Sequence, residues 1–196
     1  MTESVGILGG SFDPVHNAHL AVARAALGEL GLARVLWVPS GTPPHRQAPR
    51  ACAADRAAMV AAAIAAEPRF VLDRRELHKA SPGYTVETLE DLRAELGAQV
   101  EMVLLIGGDQ YARLGTWHRS EELFALARIA VFARPGLALG AAERVTVVPM
   151  APMDISSTSI RERIAKRESV RGLMPDAVLD YIESRRLYSS QERRTR

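Results

Sequence analysis

The sequence predicts an α/β protein of one domain, a Rossmann-like parallel sheet with helices on both faces. Three observations predict it. Apolar runs rich in Val, Leu and Ile recur along the chain, helical patterns lie between most of them, and each run is short and unbroken, as burial on both faces requires. With 196 residues the chain can bury one continuous core.

The elements follow in order. Residues 5–8 form the first strand, which stops at Gly9-Gly10. Residues 18–30 read as a helix, with Leu20, Ala23, Leu27 and Leu30 near helical spacing and Asn17 placed as N-cap. Strands follow at 35–38 and 70–72, separated by a helix at 53–66. Another helix, 86–96, has Thr85 as its expected N-cap and leads to the strand at 103–106. A helix at 121–127 precedes strands at 129–132 and 145–148. Two helices close the chain, 157–166 and 175–185, the second with Pro175 in its first turn. Residues 1–188 are expected to form the domain, and 189–196 a charged, disordered tail.

Composition narrows the class. Hydrophobic residues make up 47% and charged residues 24%, the balance of an ordinary soluble globule. A net charge of +2 is too small to argue for a nucleic-acid partner, and the pI near 9.0 adds little. The one cysteine, Cys52, excludes an intramolecular disulfide and a Cys-based zinc site. No run approaches a membrane span and no signal-like segment opens the chain, so a cytoplasmic protein is expected, with neither membrane nor nucleic-acid partner. Oligomeric state is left open.

The most informative stretch is Gly9-Gly10-Ser11-Phe12-Asp13-Pro14-Val15-His16-Asn17-Ala18-His19. Glycines lacking Cβ let a ligand approach the backbone, and two imidazoles stand at a helix N-terminus, where amides and the macrodipole favour anions. Polyphosphate binding is the leading reading. Metal ligation and incidental helix-end placement are the alternatives. Ligands in open α/β sheets bind beyond the carboxyl ends of the strands, which gathers residues 9–19, 39–50, 73–85, 107–117 and 134–136 in one place.

Within those segments, His45 and Arg46 follow Pro43-Pro44 in a long stiffened loop, either a cationic arm for a second phosphate or a plain surface loop. Thr85 and the Val86 amide offer a helix start that could take a carboxylate or simply be capped. Gly107-Gly108-Asp109 can set an acceptor against ribose hydroxyls. Trp117 either stacks on a flat ring or plugs the core. Near the other end, Asp154 to Arg161 places hydroxyls, amides and a guanidinium at a helix start, an anion cradle or a capped surface helix. Two absences matter as well. There is no G-x-G-x-x-G turn and no acid after the second strand, which disfavours a Rossmann oxidoreductase, and no G-x-x-x-x-G-K-[ST] P-loop.

On these motifs the chain resembles the nucleotidyltransferase superfamily with its H-x-G-H-type turn, and within it the bacterial nicotinate-nucleotide adenylyltransferases. The similarity runs from Gly9 to Tyr188 and takes in Gly10 to His16, Pro43 to Arg46, Pro82 to Leu89, Ile106 to Asp109, Trp117, Arg134-Pro135-Gly136, Ile155 to Arg161 and the ending 178–188. Three positions depart from the common pattern: Ala18 for glycine, Gly83 for serine and Glu87 for Asp.

The resemblance implies transfer of AMP from ATP to nicotinate mononucleotide, giving deamido-NAD and pyrophosphate. It implies that His16, His19 and Arg161 are catalytic. ATP would meet Gly9, Gly10, Ser11, Phe12, His16, His19, Gly107, Asp109, Arg134, Ser156, Ser157, Thr158 and Arg161. The acceptor would meet His45, Arg46, Tyr84, Thr85, Val86, Trp117 and His118. No protein metal site is expected, and Mg²⁺ would be held mainly by ATP phosphates. An anionic phosphate needs no general base, so positioning and charge stabilisation carry the reaction. The rival readings are another acceptor, nicotinamide mononucleotide or phosphopantetheine, and a nucleotide-binding regulator without turnover.

Overall fold

In a computed structural model, residues 3–41, 48–78, 83–133 and 144–189 are described. Six strands form one parallel sheet in the order β3-β2-β1-β4-β5-β6. They are β1 (Ser4–Gly10), β2 (Arg34–Pro39), β3 (Phe70–Leu72), β4 (Glu101–Gly107), β5 (Arg128–Ala133) and β6 (Val145–Pro149). The helices are α1 (Asn17–Glu29), α2 (Ala53–Ile64), α3 (Thr85–Leu96), α4 (Gly108–Tyr111), α5 (Ser120–Leu126), α6 (Ser157–Ala165) and α7 (Asp176–Arg185). Every expected strand is present. The short helix α4 was not expected, because a single turn has no periodicity to read.

Alternation along the strands divides the core in two. On β4, Val103 and Leu105 face one side with Leu8, Val35 and Trp37, and are covered by Leu20 and Leu27 of α1, Met59 and Val60 of α2, Ile160 of α6 and Val178 and Ile182 of α7. Met102, Leu104 and Ile106 face the other, against Val86, Leu89 and Leu92 of α3 and Leu123 of α5. Period-two alternation with both faces apolar is what a doubly covered parallel sheet demands. The strand order reverses between β1 and β4, and ligands bind at such a switch point, outside the carboxyl ends of the strands. Gly10 and Gly107 end those two strands. No described helix is long and apolar enough to cross a membrane.

Two expected caps are corrected. His16, not Asn17, is the N-cap of α1. Asn17 instead fastens the helix start to a distant loop, its backbone N–H donating to the Leu173 carbonyl and its side chain to that of Gly172, both at 2.9 Å. Tyr84, not Thr85, is the N-cap of α3, and Thr85 is its first helical residue. Pro175 likewise sits at the N-cap of α7, one place before its first turn.

Candidate functional site

The turn after β1 supplies an open floor. A Cβ on Gly9 would meet nothing within 4 Å, whereas one on Gly10 would press on the Phe12 ring at 3.2 Å. So Gly9 leaves room above the sheet and Gly10 accommodates its neighbour. Phe12 has a positive φ of 48° and its ring is fully buried, packed on Trp37 at 5.4 Å and edge-on to His19 at 5.0 Å. Phe12 therefore faces the site only through its backbone.

His16 is buried and His19 half-buried, and their rings stack with centroids 3.7 Å apart. The His16 backbone N–H donates to Nδ1 of His19 at 3.2 Å. An accepting Nδ1 places the proton of a neutral imidazole on Nε2, which is left as a donor. Burial lowers the pKa of His16 from 6.5 to about 4. Burial, and then the charge of His16, hold His19 well below its ordinary value. Both rings are neutral at pH 7 in the absence of an anion.

Asp13 is the hub behind this turn. Its buried carboxylate accepts from the Arg50 N–H at 2.8 Å, the Ala51 N–H at 3.0 Å and the Tyr188 hydroxyl at 2.8 Å. Arg161 reaches in from α6, donating through Nη1 to the Asp13 carbonyl at 2.7 Å and through Nη2 to the Thr158 hydroxyl at 3.2 Å. Ser157 donates its hydroxyl to the Pro14 carbonyl at 2.8 Å. The turn that precedes α1 and the start of α6 are thus bonded together. Ser156 caps α6, its hydroxyl oxygen accepting from the Ser159 N–H at 3.1 Å. Its own proton stays available as a donor, while the amides of Ser157 and Thr158 precede any intrahelical acceptor.

Around these groups lie the other expected residues. Beyond β4, Asp109 is exposed on α4 with Oδ1 2.9 Å from where a Gly107 Cβ would stand. Tyr84 and His118 bring the start of α3 to the segment before α5, rings 4.3 Å apart. Thr85 is half-buried and Val86 is fully buried in the core. Trp117 is half-buried and packs on the α3–α5 side of the core. His45, Arg46 and Arg134 lie outside the described residues. Among the described residues no group of three or more His, Cys, Asp or Glu side chains is placed to hold a metal ion.

Sequence reading missed Arg56, which is 2% exposed and donates to the Ser11 carbonyl at 2.8 Å. Its signal was present: Arg56 shares an i, i+3, i+4 stripe with the buried Met59 and Val60, an odd place for a cation. The Asp13 hub and Tyr188 were missed as well, since neither pairing leaves a local pattern.

Comparison with known proteins agrees with this fold. The Cytidylyltransferase-like family matches residues 7–163. The chain is 46% identical over 211 residues to a Chromobacterium violaceum protein named probable nicotinate-nucleotide adenylyltransferase, covering 96% of this chain and 100% of that one. A Dechloromonas aromatica protein of the same name is 42% identical over 214 residues, covering 96% and 99%. Among solved structures, the Plasmodium falciparum nicotinic acid mononucleotide adenylyltransferase complexed with NaAD superposes with a TM-score of 0.80. It covers 95% of this chain and 97% of its own at 18% identity, a likeness of fold.

Proposed function

The chain belongs to the cytidylyltransferase-like family, and from that premise we propose that it transfers AMP from ATP to nicotinate mononucleotide. The products are nicotinate adenine dinucleotide and pyrophosphate, and the reaction serves NAD biosynthesis in the cytoplasm. An oxygen of the acceptor 5′-phosphate attacks the α-phosphorus of ATP. The bond from that phosphorus to the oxygen bridging to the β-phosphorus breaks, and pyrophosphate leaves. The attacking phosphate is already anionic, so the protein's task is alignment and charge stabilisation.

One observation supports the reading: Ser157 and Arg161 bond directly to Pro14 and Asp13, which brings the start of α6 onto the turn that leads into the imidazole pair. His19 offers Nε2–H to the reacting phosphates, and His16 stands against it. An arriving triphosphate opposes the effect of burial on the two imidazoles. The Ser156 hydroxyl and the Ser157 and Thr158 amides receive the pyrophosphate end. Arg161 makes one bond from each Nη atom, to Asp13 and to Thr158, holding α6 against the turn through the first, and adds its positive charge to the site.

Gly107 and Asp109 take the adenosine side, together with Arg134. Tyr84, Thr85, the Val86 amide, Trp117 and the His118 amide take the nicotinate ring and its carboxylate, and His45 and Arg46 take the acceptor phosphate. Mg²⁺ would arrive with the ATP phosphates and keep much of its hydration. When bound, it neutralises charge on the triphosphate.

Pyrophosphate release from ATP tests the reading, with nicotinate mononucleotide, nicotinamide mononucleotide and phosphopantetheine offered separately. Turnover is expected with the first and far weaker with the others, since the nicotinamide turns its own N–H₂ toward donors built for a carboxylate and phosphopantetheine has no ring carboxylate to meet them. Equal efficiency with the amide would overturn the acceptor, and no release with any acceptor would leave only a nucleotide-binding regulator.

A further inference from the structure

Arg56 has a structural position that none of the roles above uses. It projects from α2 (Ala53–Ile64) and spans two carbonyls, Nη1 donating to Ser11 at 2.8 Å and Nη2 to Gly41 at 3.3 Å. Ser11 follows β1 and Gly41 follows β2, and the two strands are hydrogen-bonded neighbours. The Ser40 N–H adds a bond to the Gly10 carbonyl at 2.8 Å. At the far end of the same connection, the Arg50 and Ala51 amides donate to the Asp13 carboxylate. Both ends of the chain leaving β2 are therefore fastened to the β1–α1 turn, one through Arg56 and the other through Asp13.

Burying a guanidinium costs desolvation that two carbonyls only partly offset, and removing it would leave the Ser11 and Gly41 carbonyls without these donors. Burial also lowers the proton affinity of Arg56, an effect that the nearby Asp13 carboxylate opposes. What the guanidinium provides is a rigid planar fork joining two backbones, which a lysine cannot reproduce.

We propose that Arg56 is a positioning residue for AMP transfer, fixing the separation between the turn that receives the ATP phosphates and the connection that follows β2. The proposal rests on the reading given above. In-line attack tolerates little misplacement, since a shift of about 1 Å can cost about a hundred-fold in rate.

The test compares Arg56→Ala and Arg56→Lys in the full chain by steady-state assay of pyrophosphate release, with circular dichroism to check folding. Arg56→Ala should lose about a hundred-fold or more in kcat, with the KM for ATP moving less than about three-fold. Added guanidinium chloride should restore about ten-fold of that loss, where sodium chloride at equal concentration does not. Arg56→Lys should stay about ten-fold or more below wild type. Folded variants within about three-fold of wild-type turnover would overturn the proposal, as would a kcat loss that guanidinium does not relieve. If Arg56→Ala does not fold, Arg56→Lys decides alone. A wild-type chain without turnover removes both this proposal and the reading beneath it, whereas an active wild type indifferent to Arg56 removes only this one.

Discussion

The Ser157 hydroxyl donates to the Pro14 carbonyl at 2.8 Å, across 143 positions of sequence. Beside it, Arg161 donates to the Asp13 carbonyl at 2.7 Å. Together these bonds hold the first turn of α6 against the turn that precedes α1, and the proposed triphosphate site exists only while they do.

Ser157→Ala removes the donor and leaves a partly buried carbonyl without its partner. The expected cost is about 1–2 kcal/mol of stability, a fall of roughly 2–8 °C in Tm for a chain of this size. Thermal denaturation checks it. An unchanged Tm would mean that this bond does not tie the two ends of the chain together.

His19→Ala should cut turnover by about a hundred-fold or more, corresponding to about 2.7 kcal/mol or more of transition-state stabilisation. Steady-state assays on a variant that melts like the wild type are the check. Near-normal kcat would take His19 out of the reaction.

The imidazole pair makes stability depend on pH. His16 in the folded chain resists protonation down to about 4, while the unfolded chain takes up a proton near 6.5. Between those values the unfolded state binds more protons, so stability present at pH 7 is lost as pH falls from about 6.5 toward about 4, by an amount of order 3 kcal/mol. His19 pushes in the same direction. Urea midpoints at several pH values, for wild type and His16→Asn, measure it. The stability gap between the two should narrow on acidification, and a gap that is constant with pH would contradict the assignment.

Trp117→Ala should raise the KM for nicotinate mononucleotide by about ten-fold or more and leave the KM for ATP nearly unchanged. Initial rates with each substrate varied in turn are the readout. Equal effects on both would return Trp117 to a purely packing role.

The sheet was legible because each strand is a short apolar run, and the runs at 5–8, 103–106 and 129–132 need only their ends extended to match β1, β4 and β5. The rule that loops gather beyond strand ends collected the segments after β1 to β5 but not the start of α6, whose bonds to Pro14 and Asp13 appear only in the fold. The caps were harder. Asn17 has the right chemistry for an N-cap, but its side chain is turned to the Gly172 carbonyl and its backbone N–H to that of Leu173, and that contact comes from far along the chain. Tyr188 is illegible for the same reason, acquiring its partner Asp13 only in the fold, whereas Arg56 left a trace in its apolar stripe but no sign of its partner, Ser11.

The most direct test of the account is a crystal structure of this chain with a non-hydrolysable ATP analogue. The account predicts the triphosphate within hydrogen-bonding distance of His19 Nε2 and also of the Ser157 and Thr158 amides. Phosphates bound elsewhere, touching only one of these two groups or neither, would contradict it.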